Sequence, residues 1–307
     1  MKTFVISGGT DGIGKAVALA RLQGGDRVVV LGRDADKGAQ LVAEAEGSGA
    51  ADRVHFIQVD LSLVEATRGA LAEIRSRFAA VDGLVLCAQH FRSTRLVTGE
   101  GFENSFALYY LSRFVLSHGL ADLLEAAPAP VVVNVCGPGI PMGEGRWDDL
   151  GRERDYTGID ALMQGSRLND LLGVGFARAR PGSRIRYVLL DPGGVRTSSS
   201  GEYDPAAAER IDAVRAGARP VEEGILPVLA ALDAPPDQPV SASVAGEPLP
   251  LDGPAFDAED ADRLHELTVG LLAARAAWAP VRHRFADRRG PVPAVVLSAS
   301  PVPAPRG

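Results

Sequence analysis

Short apolar runs alternate with longer amphipathic ones along most of the chain. Residues 3–7 (Thr-Phe-Val-Ile-Ser), 27–31 (Arg-Val-Val-Val-Leu), 54–59, 84–87, 131–135 and 186–190 are near-continuous apolar blocks, the pattern of strands buried on both faces. Between them, residues 15–22, 36–46, 62–78, 102–124 and 159–179 read as helices, with Ser62 placed to cap the third. This rhythm predicts an α/β fold, a doubly wound parallel sheet with helices on both faces. Beyond residue 191 the pattern loosens. Residues 222–232 read as a helix, 240–246 as a last edge strand, and 257–277 as a helix with an acidic start. One domain is expected over 1–278, followed by a Pro-rich tail, 279–307, in which 292–297 is apolar enough to add a strand.

The first strand runs directly into Gly8-Gly9-Thr10-Asp11-Gly12-Ile13-Gly14, and a helix follows without a break. Strand, glycine turn and helix start together bring backbone N–H groups and a positive helix end to a phosphate. Glycine at 8, 12 and 14 allows the tight turn and leaves room for a pyrophosphate. In an open parallel sheet, ligands bind outside the C-terminal strand ends, where this turn lies.

Composition narrows the field. A net charge of −7 gives no basic footprint for nucleic acid. The arginines of the last thirty residues read as a solvated tail. Two cysteines, Cys87 and Cys136, form neither a disulfide framework nor a zinc-ligand spacing, so no metal is expected, and Cys136 reads as a buried inert thiol. No leader pattern precedes the first strand, and no run of about eighteen apolar residues is present to span a bilayer. A cytoplasmic protein without a membrane role is expected. Its high Ala, Gly, Pro and Arg content suits a GC-rich bacterial genome, and with it specialised small-molecule biosynthesis.

These motifs resemble the short-chain dehydrogenase/reductase family, over roughly residues 1–275, and imply its Rossmann-type fold. Gly8, Thr10, Gly12, Ile13 and Gly14 match the family's cofactor turn. At the end of the second strand, where NAD-preferring members carry an acid, stands Gly32-Arg33, and a guanidinium suits the 2′-phosphate of NADP. Lys15 adds a second positive charge nearby. The resemblance assigns Asp60 and Leu61 to the adenine, although Asp60 also reads as a helix-start carboxylate. Ala88 belongs to the turn after the fourth strand. Pro192, Gly193, Val195 and Thr197 fall in the segment that touches the nicotinamide amide and phosphates. NADP(H) is the cofactor implied, and a homodimer paired through the helices at 102–124 and 159–179 is the assembly implied.

The chemical half of the family pattern is altered. Hydride-transferring members use a Tyr-x-x-x-Lys pair, a Ser and an Asn, with the Lys lowering the pKa of the phenol. Aligned on Leu162-Met163-Gln164-Gly165-Ser166-Arg167-Leu168-Asn169, this chain has Met163 for the Tyr and Arg167 for the Lys. Gly137 falls at the Ser position and Tyr109 at the Asn position, and the family's Asn-Asn-Ala-Gly turn reads Leu86-Cys87-Ala88-Gln89. A thioether donates no proton, and arginine holds its own too tightly to shuttle one.

Three readings follow for a chain that keeps the cradle and loses the proton relay. One is an enzyme catalysing a non-redox step on a small molecule, with NADP(H) structural or absent and Tyr109, Arg167, His90, Gln89 and Gln164 as the remaining polar groups. Arg167 also reads as a surface cation, and Tyr109 as filler for the space left by Met163 and Gly137. The second is an NADPH-dependent reductase with another donor, such as His90, Tyr109, Tyr110 or Tyr156. The third is a non-catalytic cofactor-binding or partner subunit.

Overall fold

Thr3–Ser7 forms β1, every residue of it buried, near the middle of an eight-stranded sheet. A computed structural model describes residues 1–140, 146–199 and 201–277; the expected tail, 279–307, lies outside the described residues. The further strands are β2 (Arg27–Gly32), β3 (Val54–Gln58), β4 (Gly83–Leu86), β5 (Phe91–Arg92), β6 (Val131–Val135), β7 (Arg186–Asp191), β8 (Gly201–Glu202), β9 (Val240–Val244) and β10 (Glu247–Leu249). The main sheet has the order β3-β2-β1-β4-β6-β7-β9-β10 and is parallel up to β9. β9 is not the edge that the sequence suggests. Ala245 and Gly246, both at positive φ (53° and 94°), turn the chain back into the antiparallel β10. β5 and β8 pair separately, joining the segment after β4 to the segment after β7.

Successive strand residues point to opposite faces, and each face builds its own core. Phe4, Ile6, Val28, Val30, Val85 and Val133 pack with Val17 and Leu22 of α1 (Gly12–Gln23) and Leu41 of α2 (Ala35–Gly47). Val5, Val29, Leu84, Leu86 and Val132 pack with Leu71 and Ile74 of α3 (Val64–Arg77) on the other face. Ser62 does not cap α3. Its hydroxyl donates to Asp60, and the first amides of the helix, at Val64 and Glu65, donate instead to the carboxylate of Glu100.

The expected helix over 102–124 is four pieces: α4 (Asn104–Phe106), a π turn at Ala107–Leu111, α5 (Ser112–Gly119) and α6 (Ala121–Glu125). The wide turn frees two carbonyls for side chains. Leu108 O accepts from the Ser112 hydroxyl at 2.6 Å, and Tyr109 O from Asn169 Nδ2 at 2.8 Å. α7 (Gly158–Arg178) starts at Thr157, whose hydroxyl caps the Asp160 amide. α8 (Pro205–Ala216), absent from the sequence reading, is capped by Asp204 and has no buried residue. The helix read at 222–232 is split into α9 (Val221–Gly224) and α10 (Leu226–Asp233).

α11 (Ala258–Ala277) lies along α7, held by the ion pairs Arg167–Asp260 and Arg178–Asp262, and Tyr110 hydrogen-bonds Thr268 on it at 2.6 Å. Ser112 through Ser117 of α5 are all buried within the chain.

Candidate functional site: a cleft at the strand-order reversal

Sheet winding reverses between β1 and β4, and a cleft of about 440 Å³ opens at their C-terminal ends. The glycine turn forms its floor. Gly8 has φ +67°, and a β-carbon on it would come within 2.8 Å of the Ala88 backbone; one on Gly14 would meet Gly8 O at 2.4 Å. Asp11 caps α1 by accepting from Gly12 N at 2.7 Å. A positive helix end beside glycines at 8, 12 and 14 fits a pyrophosphate.

Of the residues the sequence assigned to cofactor, Gly8, Thr10, Gly12, Ile13, Gly14, Arg33, Asp60, Leu61, Ala88 and Thr197 line this cleft. Pro192, Gly193 and Val195 do not. Their turn is held away from it: Gly193 N donates to Asp191 at 2.7 Å, and Val195 bridges to Arg219 and packs against Gly224. The Asp60 carboxylate is committed to its own turn, accepting from Ser62 N and Oγ at 2.9 and 2.7 Å. Asp34, the acid after β2, is likewise spent capping α2 through Asp36 N and Lys37 N, both at 3.0 Å. Lys15 faces Glu44 on α2 rather than the cleft; the lysine in the cleft wall is Lys37.

Leu108, Val135 and Leu162 line the opposite side. The aligned register on α7 is thus displaced by one residue in space: Leu162, not Met163, lines the cleft. Arg167 points to the α7–α11 seam, where it pairs with Asp260 at 3.3 Å, so it is not placed to act on a ligand in the cleft. The reason is α7's position between the sheet and α11, which turns one edge of the helix to each. Ser166, one turn after Leu162, lies beneath it and hydrogen-bonds the Tyr109 hydroxyl at 3.3 Å.

Tyr109 fills the space left by Gly165, where a β-carbon would lie 2.4 Å from its ring; the space at Gly137 is taken by Ile140, 2.7 Å from where a β-carbon would stand. The phenol is 4% exposed, and burial pushes its pKa up to about 12, against the pull of Arg113, whose guanidinium sits 4.4 Å over the ring. It is held as a neutral hydroxyl under the cleft floor and does not line the cleft.

Arg113 is wholly buried. It donates to Asn134 Oδ1, to Val135 O at 2.8 Å and to Ala88 O at 3.2 Å, so one cation ties the ends of β4 and β6 together. Burial raises the Cys87 thiol, which lines the cleft, to about 12 and that of Cys136 further still, with Arg113 opposing in each case.

His90, Phe91, Lys37, Ser198, Ser199, Tyr203 and Ile211 complete the wall. Phe91 and Tyr203 stack at 5.0 Å across the β5–β8 ribbon. Burial, then Arg92 and Arg33, hold the His90 imidazole below its ordinary pKa. Gln89 lines the cleft beside His90, and the sequence points to both as polar groups of the site but not to the others. Lys37 was legible from its spacing, four residues after Arg33 in the first turn of a helix. Tyr203 and Ile211 were not, because they reach the cleft only through the pairing of β5 with β8 and the placement of α8. Among the described residues, no group of His, Cys, Asp or Glu is placed to hold a metal ion, and no helix is long and apolar enough to cross a membrane.

A model of the short chain dehydrogenases matches residues 2–143, which hold the cleft's glycine turn and the strands on either side of it. The chain is 28% identical over 197 residues to retinol dehydrogenase 13 of Homo sapiens, covering 64% of this chain and 60% of that one. It is 30% identical over 204 residues to polyprenol dehydrogenase of Homo sapiens, covering 64% and 61%. It spans about three fifths of the length of these relatives. A short chain dehydrogenase from Burkholderia cenocepacia, solved in complex with NADP, superposes with a TM-score of 0.61 at 20% identity, covering 80% of this chain and 97% of that one. Over residues 2–143 the chain matches the short chain dehydrogenase family, and these relatives carry the same likeness at 28–30% identity.

Proposed function

We propose that the cleft binds NADP(H) and that the protein is an enzyme of small-molecule biosynthesis catalysing a non-redox step, of the cyclisation, dehydration, rearrangement or isomerisation type. In this reading the cofactor is structural. Arg33 in the cleft wall, with Asp34 Oδ1 engaged in the cap of α2, favours the 2′-phosphate over an unphosphorylated ribose. When bound, the dinucleotide would supply a hydride donor or acceptor; the chain's own part is to hold it against the glycine turn.

The observation that carries the non-redox reading is the apolar reaction side of the cleft. Leu108, Val135 and Leu162 line it, while the hydroxyls of Tyr109 and Ser166 do not line the cleft and are bonded to each other at 3.3 Å. Such a wall shapes and orients a substrate without exchanging protons with it, which suits a cyclisation or rearrangement; a dehydration or isomerisation would move its protons through water or His90 of the cleft wall. Holding one molecule in a reactive conformation lowers a unimolecular barrier by several kcal/mol. A panel of cyclic and conjugated carbonyl compounds incubated with the protein and NADPH tests this. Product without loss of reduced-nicotinamide absorbance is expected, and stoichiometric loss would overturn it.

One observation favours the second reading, an NADPH-dependent reductase. His90 stands in the cleft wall, held neutral, and 4.0 Å from Glu202 it is a group able to pass a proton. In the same assay, stoichiometric consumption of NADPH that disappears in His90→Ala supports it.

A further inference from the structure

Asp11 sits at the crossing of three elements. Its Oδ1 accepts from Gly12 N at 2.7 Å, and its Oδ2 is shared by Lys37 Nζ, from the first turn of α2, and the Ser198 hydroxyl at 2.9 Å, from the segment after β7. Burial works against ionisation of this carboxyl, but the bonds from Lys37, Ser198 and Gly12 outweigh it and hold it below its ordinary value. All of these groups border the same cleft, with Arg33 and Asp34 beside Lys37. The segment after β7 is pressed on the glycine turn as well, since a β-carbon on Gly12 would lie 3.1 Å from the Thr197 side chain. Arg215 of α8 donates to Ser198 O and to Ser199 Oγ, tying that helix to the same segment.

A carboxylate in the wall of an anion-binding cleft repels what the cleft binds unless a cation covers it, and Lys37 covers Asp11. The lysine is 42% exposed on a flexible stem, free to swing along the wall. A phosphate monoester near neutral pH carries between one and two negative charges and outcompetes a single carboxylate for an ammonium. We propose that Lys37 is a second cation of the 2′-phosphate subsite beside Arg33, and that Asp11 is the counter-ion it leaves when that phosphate arrives. Asp11 then keeps Ser198 and Gly12, so occupation of the 2′-phosphate subsite is coupled to the opposite lip of the cleft through one carboxylate. The inference rests on the NADP(H) reading above.

Calorimetric titration of the full chain with NADPH, NADH, 2′,5′-ADP and 5′-AMP tests it, with thermal melting to check that each variant is folded. Lys37→Met should bind NADPH and 2′,5′-ADP about tenfold more weakly, with NADH and 5′-AMP changed less than about twofold. Asp11→Asn, which keeps the helix cap, should bind the two 2′-phosphorylated ligands about threefold or more tightly. If the wild type prefers NADPH and Lys37→Met keeps that preference, the assignment of Lys37 is overturned while the NADP(H) reading stands. A weakening of NADPH by Asp11→Asn overturns the role of Asp11 alone. A wild type that does not discriminate 2′,5′-ADP from 5′-AMP overturns the NADP(H) reading, and this inference with it.

Discussion

The two sides of the cleft start from the same parallel strand ends and finish differently. On the β1–β2 side, the backbone makes the surface: a glycine turn packed so closely that a β-carbon at Gly8 or Gly14 meets main chain, with Arg33 and Lys37 above it. On the β4–β6 side, side chains make it. Tyr109 and Arg113 occupy the space beneath, and Leu108, Val135 and Leu162 form the wall. A backbone site is fixed by sterics and admits little change, whereas a side-chain site can be refilled residue by residue while the strands beneath it stay in place. On the function proposed above, this contrast lets one chain hold a nucleotide on one side of the cleft while the other side is lined by different side chains.

The largest effect is expected on the backbone side. Gly14→Ala puts a β-carbon against Gly8 O, which has no room to move, and NADPH affinity should fall at least ~100-fold, about 2.7 kcal/mol. Calorimetry showing unchanged affinity would mean that the turn is not the cradle. On the other side, Arg113→Ala leaves Asn134 Oδ1, Val135 O and Ala88 O without their donor and should cost about 3 kcal/mol of unfolding free energy by denaturant titration. A loss below about 1 kcal/mol would mean that the cation does not hold the strand ends together.

Asp170 gives a pH-dependent test of the same side. It is wholly buried, accepts from Gly139 N at 3.0 Å, and burial raises its pKa from 3.8 to about 7 against that bond and Arg167. A folded-state value above the unfolded one stabilises the fold at low pH and loses that contribution as pH rises through about 7. Relative to Asp170→Asn, the wild type should therefore lose stability between pH 4 and 8, by roughly 1–3 kcal/mol. Parallel stability curves for the two proteins would contradict this. The smallest effect tests the register of α7. In a Cys87→Ser background, NADPH should slow thiol labelling of Leu162→Cys several-fold and leave Met163→Cys unchanged. Protection of the Met163 variant alone would restore the register read from the sequence.

The strands and the glycine turn were legible because buried parallel strands and a Gly-x-x-x-Gly-x-Gly turn leave an unbroken trace in sequence. The α7 register was not. Leu162 and Met163 are both apolar and adjacent, and only the packing of α7 between the sheet and α11 decides which of them faces the cleft. The π turn was hidden for a related reason, since it is set by Asn169 reaching Tyr109 O from sixty residues away. Glu100 capping α3, in place of Ser62, is a further long-range choice that local propensity does not contain.

The central claim is that a bound nicotinamide would meet hydrocarbon rather than a proton donor, and a crystal structure of the protein with NADPH tests it most directly. The expected result is a pyrophosphate on the Gly8–Gly14 turn and a nicotinamide ring beside Leu108, Val135 and Leu162, with Tyr109 still bonded to Ser166. A tyrosine hydroxyl or lysine ammonium within hydrogen-bonding reach of the nicotinamide ribose or of a ligand over the ring would contradict it.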